Sequence, residues 1–286
     1  MTRPRDADAG GVLILVGTPL GNREDLSPRA RRTIVEADLL LCEDTRSPSR
    51  LLGTEERLPP RTSCFVGNEA ARIPVMLEHL ERGATVVFVS EAGMPVWSDP
   101  GRAIVAAALD SGYRVDVVPG PTAAATALCL SGLPADEVRW LGFVPRDGAE
   151  RRRKLESLVE ETATVILYEA GNRTPALVTD LSTTLRDADT RVLVVTRELT
   201  KVHQEALRGT VTELAQRLDA PLRGEVTMVL GPTTIVPTDR AKQAARETLE
   251  LVLAELKPRE KAKRLASLTG LDAREIYDRL RVSRES

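Results

Sequence analysis

The chain has 286 residues, 42% hydrophobic and 29% charged, the balance of a globular protein with room for about two domains of ordinary size. A net charge of −2 excludes a wholly basic nucleic-acid coat and leaves only a local basic patch open. Aromatic residues make up 3%, so base-stacking platforms are not expected to dominate any nucleic-acid contact.

Taken in order, residues 12–16 (VLILV) form a continuous apolar run, the pattern of a parallel strand buried on both faces. The turn GTPLGNREDLS follows, and then a helix over 28–37, with Ser27 as N-cap and Pro28 in the first helical position. Residues 38–42 read as a second strand running straight into the charged cluster EDTR, 43–46. A third strand is expected over 61–66, then Gly67, Asn68, Glu69 and an amphipathic helix to about residue 82. The run 84–89 is a fourth strand, ending in SEAGMPVWSDPG, 90–101, and followed by a helix over 101–111. Residues 115–118 are a fifth, ending in PGPTAAA and a small-residue helix to about residue 130. Five strands alternating with helices predict a parallel sheet with right-handed crossovers.

After Pro134 the spacing becomes less regular. Strands over 138–143, 163–168, 192–196, 203–208 and 226–230, with a helix opening on the run RRRK (151–154) and a short one over 211–218, predict a second α/β domain with a mixed sheet. From residue 238 the composition turns helical and charged, ending in two short helices about the turn 269–271. The expected division is therefore 11–134, 135–236 and a helical appendage, 237–286. That appendage reads either as a solvated tail or as an RNA-contacting hairpin.

Cys42, Cys64 and Cys129 are scattered, with no CxxC pair, which argues against a disulfide framework or a zinc site and for a reducing compartment. The first residues lack the apolar core of a secretory signal, and no run of about 18 apolar residues occurs. A cytoplasmic protein without a membrane span is expected.

Four loops, GTPLGN, EDTR, SEAGMPVWSDPG and PGPTAA, end parallel strands and so point to one sheet edge, where open α/β sheets bind ligands. Glycine-rich turns let backbone approach a ligand, and the helix after PGPT offers free amides. Neither GxGxxG nor GxxxxGK[ST] is present, so there is no dinucleotide fingerprint and no P-loop. Taken singly, each loop could be no more than a tight turn.

The wording of these loops, in order with CLSGLP, GFVPR, LYEAGNR, RELTKVHQE and GEVTMVL, resembles the ribosomal RNA small-subunit methyltransferase I family over residues 12–231. The resemblance implies a two-domain tetrapyrrole-methylase-like (class III methyltransferase) fold with a C-terminal helical appendage. It also implies S-adenosylmethionine as methyl donor and the 2′-hydroxyl of a cytidine ribose in 16S ribosomal RNA as acceptor, in a homodimer. By the same resemblance the donor lies in a cleft between the domains, held by Pro19, Glu91, Ala92, Gly93, Met94, Val96, Thr122 and Ala123. Tyr168 and the strand edge at Met228 close over it. Asn22, Arg46, Asn68, Arg151, Arg152, Arg197 and Lys201 are expected on the RNA side.

Methyl transfer to a hydroxyl gains from alignment and from a base that takes the proton. Glu43, Asp44 and Glu69 are the candidates, although Glu43 and Asp44 equally suit a cap or an ion pair with Arg46. Asp99 reads mainly as a cap for the helix that follows it. His79 and His203 read as structural or exposed, and the displacement calls for no metal. The family commonly carries histidines where this chain has Phe65 and Asn172, and Asp and Thr where it has Glu91 and Met94. Two alternatives remain from the residues: a tetrapyrrole C-methyltransferase of the same fold, and a non-catalytic RNA-binding or ribosome-assembly protein.

Overall fold

The computed structural model describes residues 10–53, 57–235, 256–269 and 271–282. The chain divides into two compact units, residues 1–234 and 235–286.

The first unit opens with five strands, β1 (Val12–Val16), β2 (Leu39–Cys42), β3 (Arg61–Ser63), β4 (Thr85–Val89) and β5 (Arg114–Val118). They form a wholly parallel sheet in the order β3-β2-β4-β1-β5. The apolar runs are explained by burial on both faces. Leu13, Leu39, Leu41 and Phe88 pack under Met76 and Leu80 of α3 (Glu69–Glu81) and Ile104 and Ala108 of α4 (Arg102–Asp110). Val16, Leu40, Val87 and Val89 face Ala30 and Ile34 of α1 (Pro28–Val35) and Leu52 of α2 (Ser47–Leu52). Each such fully buried aliphatic side chain contributes about 2 kcal/mol by removing apolar surface from water. Ser27 caps α1 as expected, accepting from the Ala30 amide at 3.0 Å. Helix α2 was not anticipated: the EDTR cluster runs into a six-residue helix that the proline at its start makes possible.

The second sheet comprises β6 (Val138–Phe143), β7 (Thr164–Ala170), β8 (Val192–Arg197), β9 (Glu205–Thr210) and β10 (Glu225–Leu230), in the order β6-β7-β10-β8-β9. Only β6 and β7 are parallel, so the sheet is mixed. On one face Val165, Leu167, Val195 and Met228 pack with Leu155 of α6 (Gly148–Glu156), Leu177 and Leu181 of α7 (Thr174–Thr184), and Leu214 of α8 (Val211–Arg217). The opposite face, with Ile166, Val194 and Val229, receives Ala124 and Ala127 of α5 (Ala123–Ser131). That helix follows the last strand of the first sheet yet packs on the second, and its alanines permit the close approach. The boundary expected near residue 134 thus lies within a single compact unit that holds both sheets.

In the second unit, α9 (Pro258–Thr269) and α10 (Ala273–Val282) flank the turn where a helical hairpin was expected. The helical stretch expected from residue 238 lies outside the described residues up to residue 255. Among the described residues no helix is long and apolar enough to cross a membrane.

Candidate active site

Three of the four loops are stitched together at the carboxyl edge of the first sheet. Thr18 pairs with Gly93 in both directions, Thr18 N to Gly93 O at 2.8 Å and Gly93 N to Thr18 O at 3.1 Å. Gly17 lies against Gly120: a Cβ on Gly17 would sit 2.6 Å from the Gly120 Cα, so neither position has room for a side chain. The Met94 sulfur accepts from the Gly120 amide at 3.2 Å, which ties the loop after β4 to the loop after β5. In the former loop Val96 (φ 75°) and Ser98 (φ 69°) join Gly93 and Gly101 at positive φ. For a β-branched residue this is an outlier, of the kind that concentrates where a loop is held in one shape for function.

Beside these loops lies a cavity of about 410 Å³. It is lined by Ala92, Gly93, Met94, Thr122, Ala123 and Tyr168, six residues that the resemblance implied for the donor, together with Leu20, Trp97, Ser98, Asp99, Phe143 and residues 169–170 and 224–227. The remaining four lie elsewhere. Pro19 and Glu91 border a neighbouring crevice of about 50 Å³ against α2, and Val96 is an exposed residue of the same loop outside the lining. Met228 is fully buried on the helix-covered face, while Val226 and Thr227 line the cavity. Alternation along β10 puts Thr227, which pairs with Tyr168, on the face opposite Met228, while Val226 reaches the cavity near the start of the strand. Reading the strand as a strand, with the small polar Thr227 between Val226 and Met228, was the signal available for finding it.

The three carboxylates expected to act as base are each engaged outside that lining. Asp44 accepts from Arg46 at 2.7–3.0 Å and from Arg50 at 3.0 Å, and these guanidinium hydrogen bonds hold its carboxyl down at about 2. Glu69 accepts from the Gly101 amide, joining the start of α3 to the start of α4. Glu43 Oε1 accepts from the Glu91 amide at 3.1 Å, and partial burial raises its pKa against that hydrogen bond. Glu91 in turn caps the turn into α2, accepting from the Asp44 amide at 3.0 Å and the Ser47 hydroxyl at 2.7 Å. Asp99 behaves otherwise than expected. Helix α4 has Gly101 at its N-cap with no side-chain cap, and Asp99 instead lines the cavity. Burial, followed by the nearby charges of Glu43, Glu225 and Glu91, pushes its carboxyl up to about 7.

The groups expected on the RNA side are dispersed. Asn22 caps a short turn by accepting from the Glu24 amide, and its own amide donates to the Thr200 hydroxyl at 3.1 Å. Asn68 is turned inward to the Phe65 amide and the Ser63 carbonyl. Arg151 is mostly buried against Asp180, at 2.6 and 2.9 Å, whereas Arg152 beside it is exposed. Arg197 pairs with Glu205 at 2.6 Å. Lys201 reaches Glu198 at 3.1 Å and Glu225 at 3.4 Å, and its stem lies over Gly21, where a Cβ would meet the Lys201 Cγ at 2.3 Å. Arg46 is exposed and, with Arg50 and Arg61, lines an open basin. Cys42 and Cys64 are buried free thiols, raised by burial to about 12 and about 11, and so unreactive. Among the described residues no three His, Cys, Asp or Glu side chains are grouped to hold a metal ion.

Residues 12–215 match the family of tetrapyrrole (corrin/porphyrin) methylases. In solved structures the fold is similar to uroporphyrin-III C-methyltransferase from Thermus thermophilus, with a TM-score of 0.56 at 21% identity over 77% of this chain and 94% of that one. It is also similar to the methyltransferase CobJ, with a TM-score of 0.58 at 16% identity over 80% and 98%. At such identities the likeness shows the fold alone. Sequence relatives are much nearer: the ribosomal RNA small subunit methyltransferase I of Mycobacterium tuberculosis is 38% identical over 96% of each chain. That of Thermotoga maritima is 41% identical over 77% of this chain and 98% of its own. By its match to that family and its identity to these relatives, the chain belongs to the ribosomal RNA small subunit methyltransferase I family of the tetrapyrrole methylases.

Proposed function

We propose that this protein methylates the 2′-hydroxyl of a cytidine ribose in 16S ribosomal RNA, using S-adenosylmethionine, in the cytoplasm and as a homodimer. The names of its relatives support the RNA substrate, and a Thermus thermophilus neighbour of the same fold is described in complex with S-adenosylhomocysteine. The cavity fits such a donor. Its inner wall is backbone and small side chains at Ala92, Gly93, Thr122 and Ala123, and the Gly17–Gly120 contact behind it leaves no room for a Cβ. When bound, the donor supplies an electrophilic methyl group on a positively charged sulfur.

The chain's own contribution is to align and to accept a proton. The observation that carries the reading is Asp99 on the cavity wall, with a carboxyl titrating at about 7, which is the match to neutral pH that a general base needs. We assign it the proton of the acceptor hydroxyl, with Glu43 acting through Asp99 by keeping its basicity high. Arg46, Arg50 and Arg61 at their open basin, and the exposed Arg152, suit RNA phosphates.

The test is transfer of labelled methyl to small ribosomal subunits, beside calorimetric titration with S-adenosylmethionine and sedimentation for the dimer. Transfer by the unaltered protein, with Asp99→Asn binding the donor but transferring poorly, is the expected result. Failure to bind the donor would sink the reading, and binding without transfer by the unaltered protein would favour a non-catalytic assembly factor.

A further inference from the structure

Aromatic residues are few in this chain, with two Trp, three Tyr and three Phe, yet four of these eight stand together at the cavity. Trp97 meets Trp140 edge to face at 5.5 Å between ring centroids, Trp140 meets Tyr168 at 6.2 Å, and Phe143 meets Tyr168 at 5.6 Å. Trp97, Phe143 and Tyr168 line the cavity. The rings are not core: Trp97 is 45% exposed, Trp140 40% and Phe143 50%. Large rings left this open form a surface for a partner rather than packing.

The backbone is built to gather them. Trp140 and Phe143 are three residues apart, which on a regular strand puts them on opposite faces. A bulge between Trp140 and Gly142 inserts Leu141, so that Trp140 pairs with Ile166 and Phe143 with Tyr168. Ile166 and Tyr168 share one face, and both rings therefore project beside them. Gly142, at φ 68°, is the hinge of that bulge, and a Cβ there would press on the Trp140 ring at 3.2 Å. Trp97 completes the row from the first sheet's loop, two residues before Asp99.

We propose that Trp97, Trp140, Phe143 and Tyr168 form a stacking rim that seats the base of the acceptor nucleotide, turned out of the RNA, while its ribose hydroxyl reaches Asp99. This rests on the methyl transfer to RNA proposed above. Exposed aromatic faces recognise any unpaired base by stacking, and specific recognition of RNA favours unpaired nucleotides whose bases can be splayed out onto such rings. The lining brings the carboxyl of Asp99 together with the rings of Trp97, Phe143 and Tyr168, the two kinds of group that a ribose hydroxyl and a base call for.

Both tryptophans of the chain lie on this rim, so intrinsic fluorescence reads it directly. The experiment titrates the full chain with an oligoribocytidine and with an abasic oligoribonucleotide of equal length, then measures methyl transfer to small ribosomal subunits for Trp97→Leu, Trp140→Leu, Gly142→Ala and Trp97→Phe. Quenching by the base-bearing strand alone is expected. In transfer, Trp97→Leu and Trp140→Leu should raise KM for the subunit about tenfold, the usual worth of one stacked base, with kcat changed much less. Trp97→Phe should restore most of the loss. Donor affinity should stay within about twofold for Trp140→Leu, whose ring stands outside the cavity lining, and thermal melting shows that each variant is folded. Equal quenching by the abasic strand, or a weakened donor affinity with KM for RNA unchanged, would overturn the rim, the latter making it a wall for the donor. Dissociation of a dimer by Trp97→Leu with KM unchanged would make it an interface between copies. If the unaltered protein transfers methyl and the leucine variants match it, the rim falls alone. If it transfers none, the parent reading falls, while quenching still tests the rim.

Discussion

Asp99 carries two predictions of different kind. As the base it must be ionised, so transfer should rise as pH passes through about 7 and level off above, and Asp99→Asn should flatten that profile and lower kcat by about 10²–10⁴-fold. Stability moves the other way. A carboxyl whose folded pKa lies above its unfolded one favours its protonated form in the fold, so its ionisation costs stability progressively between about pH 4 and pH 7. Asp99→Asn should therefore melt higher than the parent at pH 8, and the gain should vanish at pH 4; equal melting at both would show that Asp99 is not held in a site that disfavours its charge. That this residue and not Asp44 faces the cavity was not legible in the sequence. Both are acidic residues in loops that follow strands, and only the folded chain shows that Asp44 is occupied by Arg46 and Arg50 while Asp99 is left to the cavity.

At the scale of elements, the loops depend on the contact of Gly17 with Gly120. Gly17→Ala forces a Cβ against backbone that cannot rotate away, and should cost about 1–3 kcal/mol in a urea melt and weaken the donor site with it. Gly120→Ala meets the same backbone, so the double variant should cost less than the two single losses added, because one clash is shared. A cap offers a calibration: Thr210 and Glu213 form a reciprocal capping box at the start of α8, and Thr210→Ala should lower stability by about 1 kcal/mol with transfer unaffected. The elements themselves were largely readable. Short unbroken apolar runs closed by turn residues, such as 12–16 and 39–42, read as buried strands, and Ser27–Pro28 marks a helix start by local chemistry alone. The bulge in β6 was not readable, since an inserted residue shows itself only through the partner strand it fails to pair with.

Across the whole molecule, every residue lining the cavity lies between positions 20 and 227, inside the compact unit of residues 1–234. The Thermotoga maritima relative is matched over 98% of its length by 77% of this chain. A protein ending at residue 235 should accordingly keep its cooperative melt and bind S-adenosylmethionine within about threefold of the full chain, as checked by calorimetry; loss of binding would give the C-terminal piece a part in the donor site. Within the unit, Arg191 is wholly buried and donates to the carbonyls of Gly231 at 2.7 Å and Leu158 at 2.6 Å, tying the end of β10 to the segment after α6. Arg191→Met should cost roughly 3 kcal/mol or more, because those carbonyls lose their donors where water cannot replace them. By itself the sequence determined the strands, most of the helices, the shared edge of the four loops and the family, because these follow from local periodicity, turn chemistry and the order of motifs. The tertiary structure alone decided which carboxylate faces the cavity, that Thr227 and not Met228 lines it, and that scarce aromatics stand in one row. Each of these depends on the pairing of strands distant in the chain, and composition averages over position: 3% aromatic content says how many rings there are and nothing about where folding brings them together.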